Sequence, residues 1–173
     1  MIEKDMQKYL EKYNNEFIKR YILPCLSDDF HECKIKYLGK EVRTGIGLHR
    51  ADMVYILNTL YPIIVVIEIK QEASIDAVIQ VQNYIKEFKK TKILEKNKDK
   101  YFHANFRYIG IVVGKWVRPI AKRLIESNIS YDLSYIEFYN NEYKCIDEDV
   151  CRYYVDKEYW FECGLWGKLA NDR

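Results

Sequence analysis

The stretch Tyr61-Pro62-Ile63-Ile64-Val65-Val66-Ile67-Glu68-Ile69-Lys70 decides the fold. Ile63 to Ile67 are five β-branched residues in succession. Such a run stiffens χ1 and suits a strand covered on both faces, in the middle of an α/β sheet. Burial contributes roughly 1.5–3 kcal/mol per side chain, so the strand can bear an electrostatic cost at its end. That end carries Glu68 and Lys70, one residue apart. Period-2 alternation puts both on one face and Ile69 on the other.

A second strand is predicted immediately upstream, Arg50-Ala51-Asp52-Met53-Val54-Tyr55-Ile56-Leu57, with Asn58 to Tyr61 as a short loop. Pro62 is acceptable at a strand start. Folding the two strands into an antiparallel hairpin brings Asp52 beside Glu68 and Lys70. Two converging carboxylates make a hard, oxygen-rich site suited to Mg²⁺ or Mn²⁺ rather than zinc. A lysine beside them can orient or activate a water and stabilise developing phosphate charge.

With the helix that follows, these residues resemble the PD-(D/E)XK nuclease superfamily, and within it the catalytic domain of the NucS/EndoMS endonucleases and their RecB-like relatives. The likeness rests on Asp52, on Glu68-Ile69-Lys70 closing an apolar strand, and on Gln80 and Tyr84 in Ala77-Val78-Ile79-Gln80-Val81-Gln82-Asn83-Tyr84. It covers about Ile2 to Phe138. Ala51 stands where the superfamily's name has proline, and 173 residues leave no room for the separate N-terminal domain of NucS. The resemblance implies a restriction-endonuclease-like core, a central mixed β-sheet flanked by helices. It further implies Asp52, Glu68, Lys70 and Gln80 as catalytic residues, with Mg²⁺ or Mn²⁺ held by Asp52, Glu68, the Ile69 backbone carbonyl and Glu3.

Elsewhere the chain reads as an ordinary α/β domain. Ile2, Met6, Leu10, Tyr13 and Phe17 share one face of a helix spanning Met1 to Tyr21, which Pro24 closes. Glu3 lies beside that stripe, either as the extra metal ligand or as a first-turn acid favoured by the helix dipole. His31 to Tyr37 reads as a first strand, and Gly39 to Gly47 as a mobile, turn-rich connection. His49 is read as structural, and Arg50 as a grip on phosphate. Ser74 is an N-cap for a helix to Phe88 or Lys90 with Ile75, Val78, Ile79, Ile85 and Phe88 inward. Gln80 and Tyr84, spaced i, i+4, share a stripe. Lys86, Lys89, Lys90, Lys92, Lys96, Lys98 and Lys100 crowd one segment. It is either a phosphate-binding patch or a solvated loop. Phe106 to Gly114, the helix Pro119 to Ser127 and the strand Ile129 to Tyr139 predict a parallel crossover unit.

Composition sets the outer bounds. The chain is 49% apolar and 31% charged, as a single globular domain requires. No run of apolar residues is long enough for a membrane span, and the N-terminus lacks signal-peptide character. These features point to the cytoplasm, where the five cysteines would stay reduced. A net charge of +2 makes any basic surface local. The Tyr-, Trp- and Cys-rich extension from about 140 to 173 is read as a core cap, a homodimer face or a base-stacking surface.

The function expected is metal-dependent hydrolysis of phosphodiester bonds in DNA, with RNA left open and no membrane partner. Arg50, Tyr84, Lys89 and Lys90 would contact the nucleic acid. The competing reading is a non-catalytic nucleic-acid-binding or assembly module on the same fold. A zinc or iron–sulfur site on the late cysteines lacks any C-x-x-C pair.

Overall fold

A computed structural model of the chain describes residues 3–12, 14–19, 34–45, 47–58, 62–94, 106–140, 152–156 and 159–163. Pro24, residues 59–61 of the expected loop, Lys96, Lys98 and Lys100 of the lysine-rich segment, and Cys25, Cys33, Cys145 and Cys151 lie outside them. The run Ile63–Ile67 forms the middle of β3 (Ile63–Ala73), and none of its side chains is more than 2% exposed. β1 (Lys34–Arg43) and β2 (Arg50–Asn58) precede it, each antiparallel to its neighbour. β4 (Arg107–Val117) and β5 (Asp132–Asn140) continue the sheet in parallel. β6 (Arg152–Asp156) and β7 (Tyr159–Cys163) complete a mixed sheet of order β1-β2-β3-β4-β5-β7-β6. The fold is α/β, as expected.

Alternation divides the core into two layers. Met53, Tyr55, Ile67 and Ile69 face one way and pack with Met6, Leu10 and Phe17 from α1 (Glu3–Lys12) and α2 (Asn14–Phe17). Val54, Ile56, Ile64 and Val66 face the other way, under α3 (Ile75–Thr91) and α4 (Pro119–Glu126). α3 is the crossover between parallel strands β3 and β4, and α4 between β4 and β5. Ser74 caps α3 by accepting from the Asp76 N–H at 3.3 Å.

Several boundaries differ from expectation. β1 runs on through the segment read as a turn, because its register shifts between Tyr37 and Gly39 and the strand resumes beyond. A β-bulge absorbs a residue without ending the strand. β5 begins at Asp132, leaving Ile129 fully exposed in the turn before it. β7 pairs with β5 and β6 with β7, so part of the C-terminal extension adds strands to the sheet.

The rotation of α3 is also corrected. Ala77, Val78, Val81, Tyr84, Ile85 and Phe88 are buried, while Ile75 and Ile79 stay 37% and 43% exposed. Gly110 of β4 is the cause. A Cβ placed there would come within 2.3 Å of Val81 Cγ1 and 2.7 Å of Leu133 Cδ2, so the helix sits directly on bare backbone and centres its buried stripe on Val81. Gly110→Ala should therefore destabilise the fold by about 1–3 kcal/mol through overpacking. Urea unfolding measures this, and a loss below half a kcal/mol would mean that α3 is free to lift.

Candidate active site

The site is made where β2 and β3 part. Their ladder is continuous from Leu57–Ile63 to Met53–Ile67 and stops there. One step further, the Asp52 side chain takes over, its Oδ2 accepting the Ile69 N–H at 2.7 Å. A carboxylate so placed satisfies a donor that the sheet would otherwise leave unpaired. The N–H and C=O of one strand residue leave the backbone on the same edge, so the Ile69 carbonyl opens toward the same fork.

Glu68 is 2% exposed. Its Oε1 receives the Lys70 ammonium at 2.6 Å, while its Oε2 is buried and accepts no hydrogen bond among the described residues. Burial, and then the charge of Asp52, push the Glu68 carboxyl up to about 7 against the pull of Lys70. Burial also raises Asp52, opposed by the Ile69 bond and Lys70. Burial works against the Lys70 charge, but the carboxylates of Glu68, Glu3 and Asp52 outweigh it and hold the ammonium above the usual lysine value. Lys70 is thus a permanent cation near neutrality, able to donate hydrogen bonds and stabilise negative charge but not to accept a proton.

Tyr84 comes from α3 and is 8% exposed. Burial, then the charges of Glu68 and Asp52, raise its hydroxyl. Gln80, one turn earlier, has a buried side-chain oxygen with no hydrogen-bond partner among the described residues. Glu3 belongs to the opposite layer, and its charge is a lesser influence on Asp52 and Glu68. Among the described residues no three acid, histidine or cysteine side chains enclose a common point tightly enough to hold an ion by themselves.

Other expected residues fall elsewhere. Arg50 opens β2 across from Arg43, exposed and two residues from Asp52. Lys89 lies 5.6 Å from the ring centres of both Tyr108 and Tyr131. Tyr108 pairs with Ile64, roughly 13 Å along the strand from Glu68, so the last turn of α3, with Lys89 and Lys90, is not part of this cluster. His49 is structural: its Nδ1 lies 2.9 Å from Glu87 Oε1, and Thr44 donates to the other Glu87 oxygen.

Glu41 is the residue that the sequence concealed. Lys40 pairs with Met53 and Val42 with Ala51, which sets Glu41 across from Asp52. Like charges directly opposite are destabilising, and Glu41 also holds a left-handed backbone with φ of 49°. Its charge contributes to raising Asp52 and Tyr84. Only knowledge of the bulge at Gly39 could have supplied that register.

No protein-family model and no curated protein matches the chain. Among solved structures, a chain in a complex of EndoMS with double-stranded DNA is similar at 23% identity, with a TM-score of 0.41, over 73% of this chain and 44% of that one. The protein thus spans less than half the length of that chain.

The raised Glu68 pKa has a defined consequence for stability. A folded carboxyl that holds its proton more tightly than the unfolded chain favours folding at low pH. That contribution is complete below the ordinary value of 4.5 and is lost as pH rises through about 7. Chelator-treated protein should be more stable to urea at pH 5 than at pH 8, by on the order of 3 kcal/mol, and Glu68→Gln should flatten that slope. An unchanged slope in the variant would assign the pH dependence to other groups.

Proposed function

We propose that the protein is a divalent-cation-dependent nuclease of the PD-(D/E)XK type, acting on DNA. The observation that carries this reading is the Glu68 carboxylate, 2% exposed, with one oxygen bound to Lys70 and the other unpartnered among the described residues beside Asp52. Burying an ionised group without full pairing costs several kcal/mol. A polar group retained at that cost is explained by something that it binds.

The donors fit a hard cation. Asp52, Glu68 and the Ile69 carbonyl offer oxygen only, and Mg²⁺ or Mn²⁺ completes its shell with water and substrate oxygens rather than demanding an all-protein cage. When bound, such an ion stabilises charge on the attacking and leaving oxygens of a phosphodiester. Asp52 spans the fork to the Ile69 N–H while presenting its second oxygen. Glu68 holds Lys70 in place, and the ammonium orients a water and opposes charge that develops on the phosphate. Gln80 and Tyr84 line the helix side, where the amide and hydroxyl steady that water or the nucleic-acid backbone. Glu3 and Arg50 stand further out, as a water-mediated acid and a phosphate contact.

A non-catalytic binding module on the same fold predicts no hydrolysis. Purified protein should cut in Mg²⁺ or Mn²⁺ within a panel of linear, circular, flapped and four-way-junction DNA. Lys70→Ala should lose on the order of 10²–10³ of that rate, with Mn²⁺ affinity at pH 8.5 nearly kept. A mutant that cuts at the wild-type rate would refute the role given to Lys70, and a wild type inert across the panel would favour the binding module.

Metal binding has its own readout. Asp52→Asn keeps an oxygen to accept the Ile69 N–H, so it should stay folded. Calorimetry should show its Mn²⁺ affinity at least about tenfold weaker. Equal affinity would place the ion elsewhere.

A further inference from the structure

Beyond the fork, β3 and β4 run on in register, with Lys70 beside Gly114 and Glu72 beside Trp116. There a groove of about 460 Å³ is lined by Glu72, Trp116, Arg118, Pro119, Ile120 and Arg123. Trp116 is 52% exposed, although an indole contributes most to stability when it is covered. Arg118 Nε binds Glu72 at 2.6 Å. That bond uses one of the five guanidinium donors. Arg123 has no ion pair among the described residues and is exposed.

The groove has a rigid floor. Glu137, fully buried, accepts the Val117 N–H and the Lys122 ammonium, each at 2.7 Å. This ties α4 and the end of β4 to the middle of β5. α4 carries no acid in its first turn and no side-chain cap at Arg118, so its positive end adds to the two arginines. An indole face beside two cationic forks matches a base and its flanking phosphates. A base within an intact duplex is already stacked on both faces, so only an unpaired one can use it.

We infer that Trp116, Arg118 and Arg123 form a stacking subsite for an unpaired nucleotide, at the end of the β3–β4 pair that also carries Lys70. This rests on the nucleic-acid reading above, but not on hydrolysis.

The test is fluorescence anisotropy with a labelled twelve-residue oligothymidine and a blunt duplex of the same length, both in chelator so that cutting plays no part. Trp116→Ala should weaken single-strand binding about tenfold and duplex binding far less, with Trp116→Phe retaining most of the affinity. Arg123→Ala should lower the salt slope by about one. A 5-iodouracil-substituted strand should photocrosslink to the peptide containing Trp116. Circular dichroism confirms that each variant is folded. Wild-type single-strand affinity in folded Trp116→Ala, equal losses for strand and duplex, or no binding by wild type overturns the subsite. Cleavage by a wild type whose binding ignores Trp116 would refute the subsite and leave the nuclease. Binding that depends on Trp116 without cleavage in any cation would do the reverse.

Discussion

The hydrogen bond from the Ile69 N–H to Asp52 Oδ2 is the constraint on which the rest of the site depends. A sheet holds two strands together only as long as backbone groups find each other. Here the β2–β3 ladder ends at Met53–Ile67, and a side chain substitutes for the missing carbonyl. The strands can therefore separate without leaving the Ile69 donor unpaired. What emerges is a gap bordered by backbone and carboxylates at the end of a buried strand, with a cation two residues along.

Electrostatics at that gap are poised rather than satisfied. Glu68 alone would be a costly buried charge, whereas the Lys70 side chain, 31% exposed, stays partly in water. Together they compensate in part, since Asp52 and burial still keep the Glu68 carboxyl up near 7. A site of this kind changes its charge in the range where cells operate. The lysine stays protonated throughout, because every neighbouring carboxylate favours its cationic form. Its chemistry is confined to donation and charge stabilisation.

Much of this arrangement was legible in the sequence because strand periodicity is strict. The run Ile63–Ile67 could sit only where both faces are covered, and alternation then put Glu68 and Lys70 on one face and Asp52 across the hairpin. The helix was less legible. Ile75 and Ile79 are as apolar as Val78 and Ile85, and nothing local tells which pair turns inward. Gly110, on a strand thirty residues away in the chain, makes that choice by admitting Val81. Glu41 was hidden for a similar reason: glycine at position 39 signals a turn, and only the opposing strand reveals that it makes a bulge. Lys89 and Lys90 were read from charge alone as nucleic-acid contacts, and the last turn of α3 sets Lys89 beside Tyr108 and Tyr131, away from the carboxylates.

The same bulge bears on how the molecule behaves among copies of itself. β1 is an outer strand of the sheet, and an outer strand offers unpaired backbone groups to any passing chain. Here its regular pleat is interrupted between Tyr37 and Gly39, and Lys34, Lys36 and Lys40 are exposed along it. Irregular, lysine-studded margins resist edge-to-edge addition. The irregularity that brings Glu41 opposite Asp52 also makes β1 a poorer template for a second strand, so straightening β1 by deleting a residue would shift that register and regularise the edge.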